Sequence, residues 1–581
     1  MNKVVHSFSS LFEKHHFGQK RKRLSNAGNF RWTYLILIGC LCWCCKPEKA
    51  IAPTKPPNII LAICDDMSFA HMSNLGCLEI HTPNIDALAA NGVLFEHAYC
   101  STPSCSPSRA AILTGRNGYE LEQGGVLWGY LPAKFETYTD HLEKAGYAVG
   151  FTGKGWGPGS LEKANRDRNP AGYEFNTVQE MPFQELGNQG EIHDIDYASN
   201  FKKFLDDKPD DRPFCFWYGG FEPHRNYVAG IGERSGKNLE KVTVPPFLED
   251  TETTRQDLLD YYFEIEWFDT QLGRIIDHAR EAGELDNTLI LVTSDNGMPF
   301  PRAKANLYEY GTHMPLIAFW PSTIKKSKKV TDFINLADIA PTVLEVSGIE
   351  VPETMSARSF LNKLIPNPAK PSKTDSDADF VVCYRERHAW SYPDGHTAPV
   401  RSIRKGNYLL IWNLRPEEYP AGHVLPEYNW NSYPFGDVDN GRSKEALISS
   451  YLAGDSVIFN RSFAPRPQYE LYHVPDDPFN LNNLAYESEH QVTLKALKDK
   501  LETYLQATGD PRMTDAEGTI FRNTPYYASK GVATGGLFLE AWQALDSVQQ
   551  RDAVQQKREQ VAKSRATLEE IGWDFTTHEM D

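Results

Sequence analysis

Residues 58–66 read NIILAICDD, an apolar run that ends in two adjacent carboxylates. An unbroken apolar run of this kind is typical of a strand that is buried on both faces of a sheet. Three further apolar runs also end in polar residues, and they are 147–152 (YAVGFT), 213–218 (PFCFWY) and 288–293 (TLILVT). Helical stretches separate the runs, and the clearest of them has apolar residues at three- and four-residue steps from Leu258 to Ile276. We therefore predict an α/β fold with a large mixed, mostly parallel sheet sandwiched by helices.

The polar residues that follow these strands are expected to form one site, because ligands bind beyond the carboxyl ends of the strands in an open parallel sheet. Four of them are oxygen donors: Asp65, Asp66, Asp295 and Asn296. Carboxylate and amide oxygens select a hard cation, and we expect calcium rather than magnesium. Taken one at a time, the same residues also suit helix caps and turns.

Residues 105–116 (CSPSRAAILTGR) place a cysteine at the start of a predicted helix. Pro107 suits a first helical turn, where its missing N–H needs no partner. Cys105 would then lie at the helix N terminus, where free N–H groups favour negative charge, and Arg109 would add a fixed positive charge one turn later. A lone cysteine is usually a small buried residue, but C-x-P-x-R followed by T-G-R is far more specific.

The complete motif C-x-P-x-R-x4-T-G-R resembles that of the type I sulfatases, whose motif cysteine is oxidised to formylglycine by a separate maturing enzyme. The resemblance starts near Pro57, includes 81–86 (HTPNID) and 295–297 (DNG), and resumes at 469–485 (YELYHVPDDPFNLNNLA). It implies an alkaline-phosphatase-like sulfatase fold with a smaller C-terminal α+β subdomain. It covers most of the chain except the leader and the last ~60 residues.

Within this family the chain is most similar to the sulfamidase-like branch, whose named member removes N-linked sulfate from glucosamine. The similarity lies in 294–301 (SDNGMPFP), in Lys304 and the residues after it, and in 222–225 (EPHR). These segments surround the sulfate group rather than the sugar, so they leave the choice between O-linked and N-linked sulfate open. We favour an O-sulfate ester.

The resemblance implies roles for five catalytic residues. Formylglycine at position 105 hydrates and attacks sulfur, and one hydroxyl of the hydrate later restores the aldehyde as sulfate leaves. The modified side chain of Cys105 also contacts the metal. The other implied roles are stabilisation of the hydrate by Arg109, binding of sulfate by Lys154 and Lys304, and protonation of the leaving group by His224.

One position departs from the family pattern. The family usually has Lys-x-His after the third strand, whereas this chain has Lys154-Gly155-Trp156. Tryptophan cannot accept a proton, so another base substitutes, water does, or turnover is slower. Alternatively, Trp156 forms a wall of the sugar subsite.

Two further substrate contacts are predicted with their alternatives. His313 contacts the substrate or is a histidine of the protein core. Arg385 belongs to a basic group that is either solvated or a subsite for sulfate or uronate groups, and the other members are Arg387, His388 and His396.

Composition restricts the function further. The net charge of -17 excludes binding of nucleic acid or anionic lipid through the overall field of the protein. Aromatic residues make up 12% of the chain, which suits stacking on sugar rings. We therefore expect an exported sulfatase of a sulfated polysaccharide or its oligosaccharides, for example ulvan. The alternatives are an N-sulfoglucosamine sulfohydrolase acting on heparan-type glycans, a phosphatase or phosphonate esterase, and a glycan-binding lipoprotein without activity.

The first 56 residues are predicted to be a leader and tether. Basic residues at 20–23 precede an apolar run at 32–45, and residues 37–40 (LIGC) resemble a lipobox that would lipidate Cys40. Ordinary secretion with cleavage near Ala52 and an uncleaved anchor are the alternatives. The expected location is the periplasm or the outer membrane of a bacterium.

The remaining boundaries follow from composition. We predict a catalytic domain at 57–365, a linker at 366–378, a C-terminal subdomain at 379–530 and a helical extension at 531–581. Six cysteines lie outside the leader without a C-x-x-C pair, so a zinc site is not expected. A disulfide between Cys77 and Cys100 stays open.

Overall fold

The computed structural model describes residues 55–365, 379–527 and 547–575. The predicted leader with Cys40, the linker 366–378 and residues 531–546 of the extension lie outside these ranges. Export, the lipid anchor and the domain boundaries therefore stay predictions. Every helix in the described ranges is too short or too polar to cross a membrane. Cys77 and Cys100 are free thiols.

The main sheet has nine strands within the described ranges. They are β1 (Asn58–Cys64), β2 (Val93–Tyr99), β3 (Ala148–Gly153), β4 (Tyr173–Glu174), β5 (Phe214–Gly219), β6 (Thr288–Ser294), β7 (His313–Met314), β8 (Leu316–Phe319) and β9 (Lys328–Asn335). Their order is β4-β3-β5-β1-β6-β8-β2-β7, and β9 pairs with β2. β1 is parallel to β5 and β6, whereas β8 is antiparallel to β6 and β2. The predicted mixed, mostly parallel sheet is confirmed.

β1 lies at the centre of this sheet, and its side chains are buried on both faces. Alternate residues enter two apolar clusters, one of which contains Leu61 and Leu113 and the other Ala62 and Phe268. Each fully buried aliphatic side chain stabilises the fold by roughly 1.5–3 kcal/mol. Burial on both faces explains why the run 58–63 does not alternate between apolar and polar residues.

Helices cover both faces of the main sheet. The predicted helix around 258–276 extends over Glu252–Glu281; the Thr251 side chain caps its start, and Gly283 follows its end with a φ of 71°. The other α-helices up to residue 365 are Pro83–Asn91, Cys105–Thr114, Tyr138–Lys144, Tyr197–Asp207, Ile231–Arg234, Glu309–Thr312, Ile339–Val346 and Leu361–Leu364.

The C-terminal subdomain contains an antiparallel sheet of four strands in the order in which they occur in the chain. They are β10 (Phe380–Arg385), β11 (Val400–Lys405), β12 (Tyr408–Asn413) and β13 (Tyr469–His473). One face packs on the helix Gln491–Ala507 through Leu501 and Leu505. The other face packs on the main sheet, where Cys383 and Ile411 join Tyr99 and Phe333. Further helices are Arg442–Leu452, Val457–Phe463 and Thr519–Arg522.

The described part of the predicted extension is the helix Ser547–Glu570 and the residues that follow it. Trp573 and Phe575 pack with Phe435 and Phe463 in an apolar cluster. The extension is thereby attached to the segment 419–440 of the C-terminal subdomain.

Candidate active site

The carboxyl ends of β1 and β6 bring the predicted oxygen donors together. Asp66 donates its backbone N–H to Asp295 Oδ1 at 3.2 Å, and Asp295 donates its own to the Cys64 carbonyl at 3.2 Å. Asp66 has a φ of 76°, a conformation that is uncommon for a residue with a side chain and that turns the chain sharply after β1. One carboxylate oxygen each of Asp65, Asp66 and Asp295 lies within 4.8 Å of the others.

These three carboxylates are fully buried, and their electrostatics differ. Burial, followed by the charge of Asp65, raises the pKa of Asp295 to about 7. Burial alone would also raise the pKa of Asp65, but the charges of Lys154 and Arg109 hold it well below its ordinary value. Buried carboxylates this close together repel one another, and a bound cation would relieve that repulsion.

Asn296 shows that the residues present fit a metal ion. Its Nδ2 donates to Asp66 Oδ1 at 2.6 Å. The Oδ1 of Asn296 itself is buried and has no hydrogen-bond donor among the described residues. An orphaned amide oxygen beside three carboxylates forms an all-oxygen set of the kind that calcium takes.

Cys105 begins the helix Cys105–Thr114 and is only 2% exposed. Its sulfur lies 3.9 Å from Asp66 Oδ1 and within 4.8 Å of ligand atoms of Asp65 and His224. Burial raises the pKa of the thiol well above its ordinary value, although Lys154 and Lys304 act against this. The unmodified side chain is therefore a neutral thiol, which is a weak nucleophile.

Arg109 ties the helix Cys105–Thr114 to the residues that follow β1 and β6. Its Nε donates to Asp295 Oδ2 at 2.7 Å, and its Nη2 lies 3.4 Å from Asp65 Oδ1. Its Nη1 donates to the Lys154 carbonyl at 2.7 Å, so the guanidinium also fixes the loop after β3. The side chain is fully buried, and its position is thus set by the fold.

Two lysines flank Cys105. Lys154 forms an ion pair with Asp65, and Lys304 donates to Asp66 Oδ2 at 2.7 Å. Both ammonium charges act on the thiol of Cys105. The two predicted sulfate-binding lysines are therefore brought to the predicted nucleophile.

His224 faces the same centre from the loop after β5. Its Nδ1 lies 2.6 Å from the Arg225 carbonyl, and because a carbonyl only accepts, Nδ1 is the donor. Its Nε2 lies 3.8 Å from Asp66 Oδ2. The side chain is 34% exposed, against 11% for Lys154, so it stands at the open side of the site.

The structure holds both Trp156 and His313 among apolar and aromatic residues. Trp156 is 4% exposed, and its side chain belongs to the same apolar cluster as Leu131. His313 stacks between Phe69 and Tyr99, and its ring nitrogens face the Glu96 carbonyl and Glu309 Oε2. The indole forms no exposed wall, and the histidine is a core residue with both nitrogens engaged. Neither position supports a contact with substrate, which for both residues stays a prediction.

Arg385 is likewise held inside the protein. It is 2% exposed, forms an ion pair with Asp437, and donates to the Pro420 carbonyl at 2.7 Å. This geometry supports a structural role for Arg385. Its contact with substrate stays a prediction. Its neighbour His388, by contrast, reaches the start of the helix Cys105–Thr114, where its Nδ1 lies 2.8 Å from the hydroxyl of Ser104.

Sequence reasoning missed one charged residue of the site. Asp439 extends from the segment 419–440, and its Oδ2 lies 3.0 Å from Lys304 Nζ. An aspartate in a polar stretch such as 436–440 (GDVDN) gives no sequence signal that distinguishes it from a turn residue.

A cysteine at a helix N terminus, beside clustered carboxylates and two lysines, suits the hydrolysis of esters of a tetrahedral anion. The chain belongs to the sulfatase family, since the model described as Sulfatase matches residues 57–349. A second model, described as N-sulphoglucosamine sulphohydrolase, C-terminal, matches residues 302–419. The protein is thus a sulfatase of the class that hydrolyses sulfate esters.

Two relatives and one solved structure of similar fold are compared with the chain. The human N-sulphoglucosamine sulphohydrolase is 28% identical over 512 residues, which cover 80% of this chain and 93% of that protein. An ulvan-active sulfatase of Formosa agariphila is 26% identical over 499 residues, which cover 80% and 78%. A structure solved with its substrate D-glucosamine-2-N,6-O-disulfate has a TM-score of 0.56 at 21% identity and covers 80% of this chain and all of that one.

Proposed function

We propose that the protein is an exported, formylglycine- and calcium-dependent sulfatase that hydrolyses O-sulfate esters on a sulfated polysaccharide or its oligosaccharides, with algal glycans such as ulvan as a candidate. The observation that carries the proposal is Cys105, at a helix N terminus between Lys154 and Lys304 and beside the buried carboxylates. The basic and apolar leader supports export.

The buried, neutral thiol of Cys105 supports modification, because an unmodified thiol in this environment has no negative charge with which to attack. Conversion to formylglycine would supply a hydrated aldehyde whose hydroxyl is the nucleophile. Arg109 fixes the base of the helix and keeps the side chain of residue 105 directed at the two lysines.

Asp65, Asp66, Asp295 and Asn296 would hold calcium, which would supply positive charge next to a sulfate oxygen. Lys154 and Lys304 bind the remaining sulfate oxygens from two sides. Since negative charge spreads over these oxygens as the bond to the leaving group breaks, fixed ammonium groups stabilise the transition state more than the free substrate.

His224 protonates the leaving oxygen. Its Nδ1 is committed to the Arg225 carbonyl, so a second proton can reside only on Nε2, which faces the site. Arg225 is itself held by Asp257 through two hydrogen bonds of 2.7 and 2.8 Å, which fixes the carbonyl that orients the imidazole. A departing sugar alkoxide requires such a proton, which supports hydrolysis of an O-sulfate ester, although a departing amine requires a proton as well.

Removal of N-linked sulfate from glucosamine is the second candidate. It is supported by the match of the C-terminal model to residues 302–419 and by the human relative. The groups described above surround the sulfate, which is the same whether oxygen or nitrogen carries it.

The test is a panel of ulvan, carrageenan, fucoidan and heparan oligosaccharides together with N-sulfoglucosamine and a phosphate monoester, assayed under equal conditions with product mapping. Co-expression with a maturing enzyme supplies the modified protein, and Cys105→Ala is the control. We expect fastest sulfate release from an O-sulfated oligosaccharide. Faster release from N-sulfoglucosamine would establish the second candidate, and faster phosphate release would overturn both.

A further inference from the structure

Asp439 is the residue of the site for which the proposed mechanism has no use. Its Oδ2 lies 3.0 Å from Lys304 Nζ, and ligand atoms of Asp66, His224 and Asp439 lie within 4.8 Å of one another. Lys304 already donates to both carboxylates, so its ammonium group takes the place that a second metal ion would need. The side chain of Asp439 is 21% exposed, so it borders the open side of the site together with His224.

The segment that carries Asp439 is held by specific contacts on both sides of it. Asp437 accepts a hydrogen bond from the Ala389 N–H at 2.8 Å and pairs with Arg385. Lys444, which is 1% exposed, donates at 3.0 Å to the Val438 carbonyl. A carboxylate between two such anchors has a defined position.

The C-terminal helix adds a second layer of support to the same segment. Lys557 donates to the Asn429 carbonyl at 2.5 Å, and Arg565 forms an ion pair with Glu427 at 2.6 Å. Trp573 lies 6.3 Å from the ring of Phe435. The extension that both family models leave unmatched therefore braces the part of the chain that delivers Asp439.

The position of Asp439 relative to His224 decides what it meets in a bound substrate. In the proposed mechanism His224 protonates the atom that links sulfate to the rest of the substrate, and a carboxylate oxygen of Asp439 lies within 4.8 Å of a His224 ring nitrogen on the open side of the site. In such a complex Asp439 would face the substituents on carbons next to the sulfated one. A carboxylate there accepts a hydrogen bond from a hydroxyl and repels a second anion.

From this geometry we infer that Asp439 is a specificity-determining residue: it accepts a hydrogen bond from a hydroxyl beside the scissile sulfate and excludes a second sulfate or a carboxylate from that position. The inference rests on the proposed function. Like charges placed against each other in a site typically reduce binding by about tenfold to a thousandfold, so the discrimination is measurable.

The experiment compares two aryl sulfates with the matured protein. The first is 4-nitrocatechol sulfate, with a hydroxyl beside the sulfated carbon, and the second is 2-carboxy-4-nitrophenyl sulfate, with a carboxylate there. For wild type, Asp439→Asn and Asp332→Asn, kcat and KM are measured on both probes, and thermal unfolding is recorded. Asp332→Asn is the matched control, because Asp332 on β9 is also a partly exposed aspartate paired with a lysine, Lys363, at 2.6 Å.

We expect wild type to prefer the hydroxyl probe, and Asp439→Asn to reduce the ratio of the two kcat/KM values about tenfold or more. The change should lie mainly in KM for the carboxylate probe, while Asp332→Asn leaves the ratio unaltered. An unchanged ratio in Asp439→Asn, or an equal loss on both probes, would show that the residue only positions Lys304 and would overturn the inference. Absence of sulfate release by wild type from both probes and from the whole glycan panel would instead reject the proposed function, and the inference with it.

Discussion

Replacing Trp156 by histidine would restore the Lys-x-His pattern that the chain lacks, and the structure predicts a loss of stability without a gain in activity. The indole is 4% exposed and lies in the main apolar core. A Cβ atom at Gly159 would already come within 2.6 Å of the indole ring, which shows how closely the surroundings fit it. Imidazole leaves part of that volume empty and places polar nitrogens in it.

The size of the effect follows from what the indole contributes. Its Nε1 has no hydrogen-bond partner among the described residues, so the substitution removes apolar contacts only. The backbone of residue 156 keeps both of its 2.9 Å hydrogen bonds to the Asn169 side chain, which fixes the loop. Truncation of a buried tryptophan to alanine costs ~3–5 kcal/mol, and we expect about 2–4 kcal/mol for Trp156→His.

Urea unfolding and sulfate-release kinetics test this expectation. Trp320→His is the matched control, since Trp320 is 2% exposed, lies in the same cluster and also has an unpartnered Nε1. Both variants should lose similar stability, with KM values close to wild type. A Trp156→His protein that unfolds like wild type but shows a shifted KM or a faster turnover, unlike the control, would refute the assignment of the indole to the core.

Three further outcomes are expected. Cys105→Ala should abolish sulfate release without altering the urea midpoint of unfolding, and an active alanine variant would contradict the mechanism. Mass spectrometry of the active wild-type protein should find formylglycine in the peptide that contains residue 105. Asp295→Ala should lose metal and activity together, because it removes a predicted ligand and one of the two carboxylates that pair with Arg109. Elemental analysis that finds neither calcium nor magnesium in active protein would count against the metal site. His224→Gln should reduce kcat about 10²–10⁴-fold on sugar sulfates and far less on aryl sulfates, whose leaving groups need no proton. Equal losses on both kinds of substrate would show that His224 is not the general acid.

The sequence was sufficient for the parts of the molecule that are encoded locally. The apolar run 58–63 predicted β1 and the helical periodicity predicted the helix that is observed at Glu252–Glu281. Cys105 was placed correctly at a helix N terminus from Pro107 and the residues after it. The meeting of Asp65 and Asp295 followed from a general rule for parallel sheets, and the rule holds here because β1 and β6 are adjacent.

Other features depend on contacts between distant segments. Lys304 and Asp439 are 135 positions apart, and the approach of one to the other is set by how the two sheets pack. His313 was left between two interpretations because only the fold shows that Phe69 and Tyr99 enclose its ring. Arg385 looked like a surface cation because its partner Asp437 lies 52 positions later.

The hydrogen bond between His388 and Ser104 has a consequence for the order of events in the cell, because it joins residues 284 positions apart. During synthesis, the segment around Cys105 leaves the ribosome long before His388 does. Once the chain has folded, Cys105 is 2% exposed, and the active site of a second enzyme cannot reach its sulfur. Any conversion of Cys105 to formylglycine must therefore precede the folding that buries this side chain, and the contact between His388 and Ser104 is a late part of that folding.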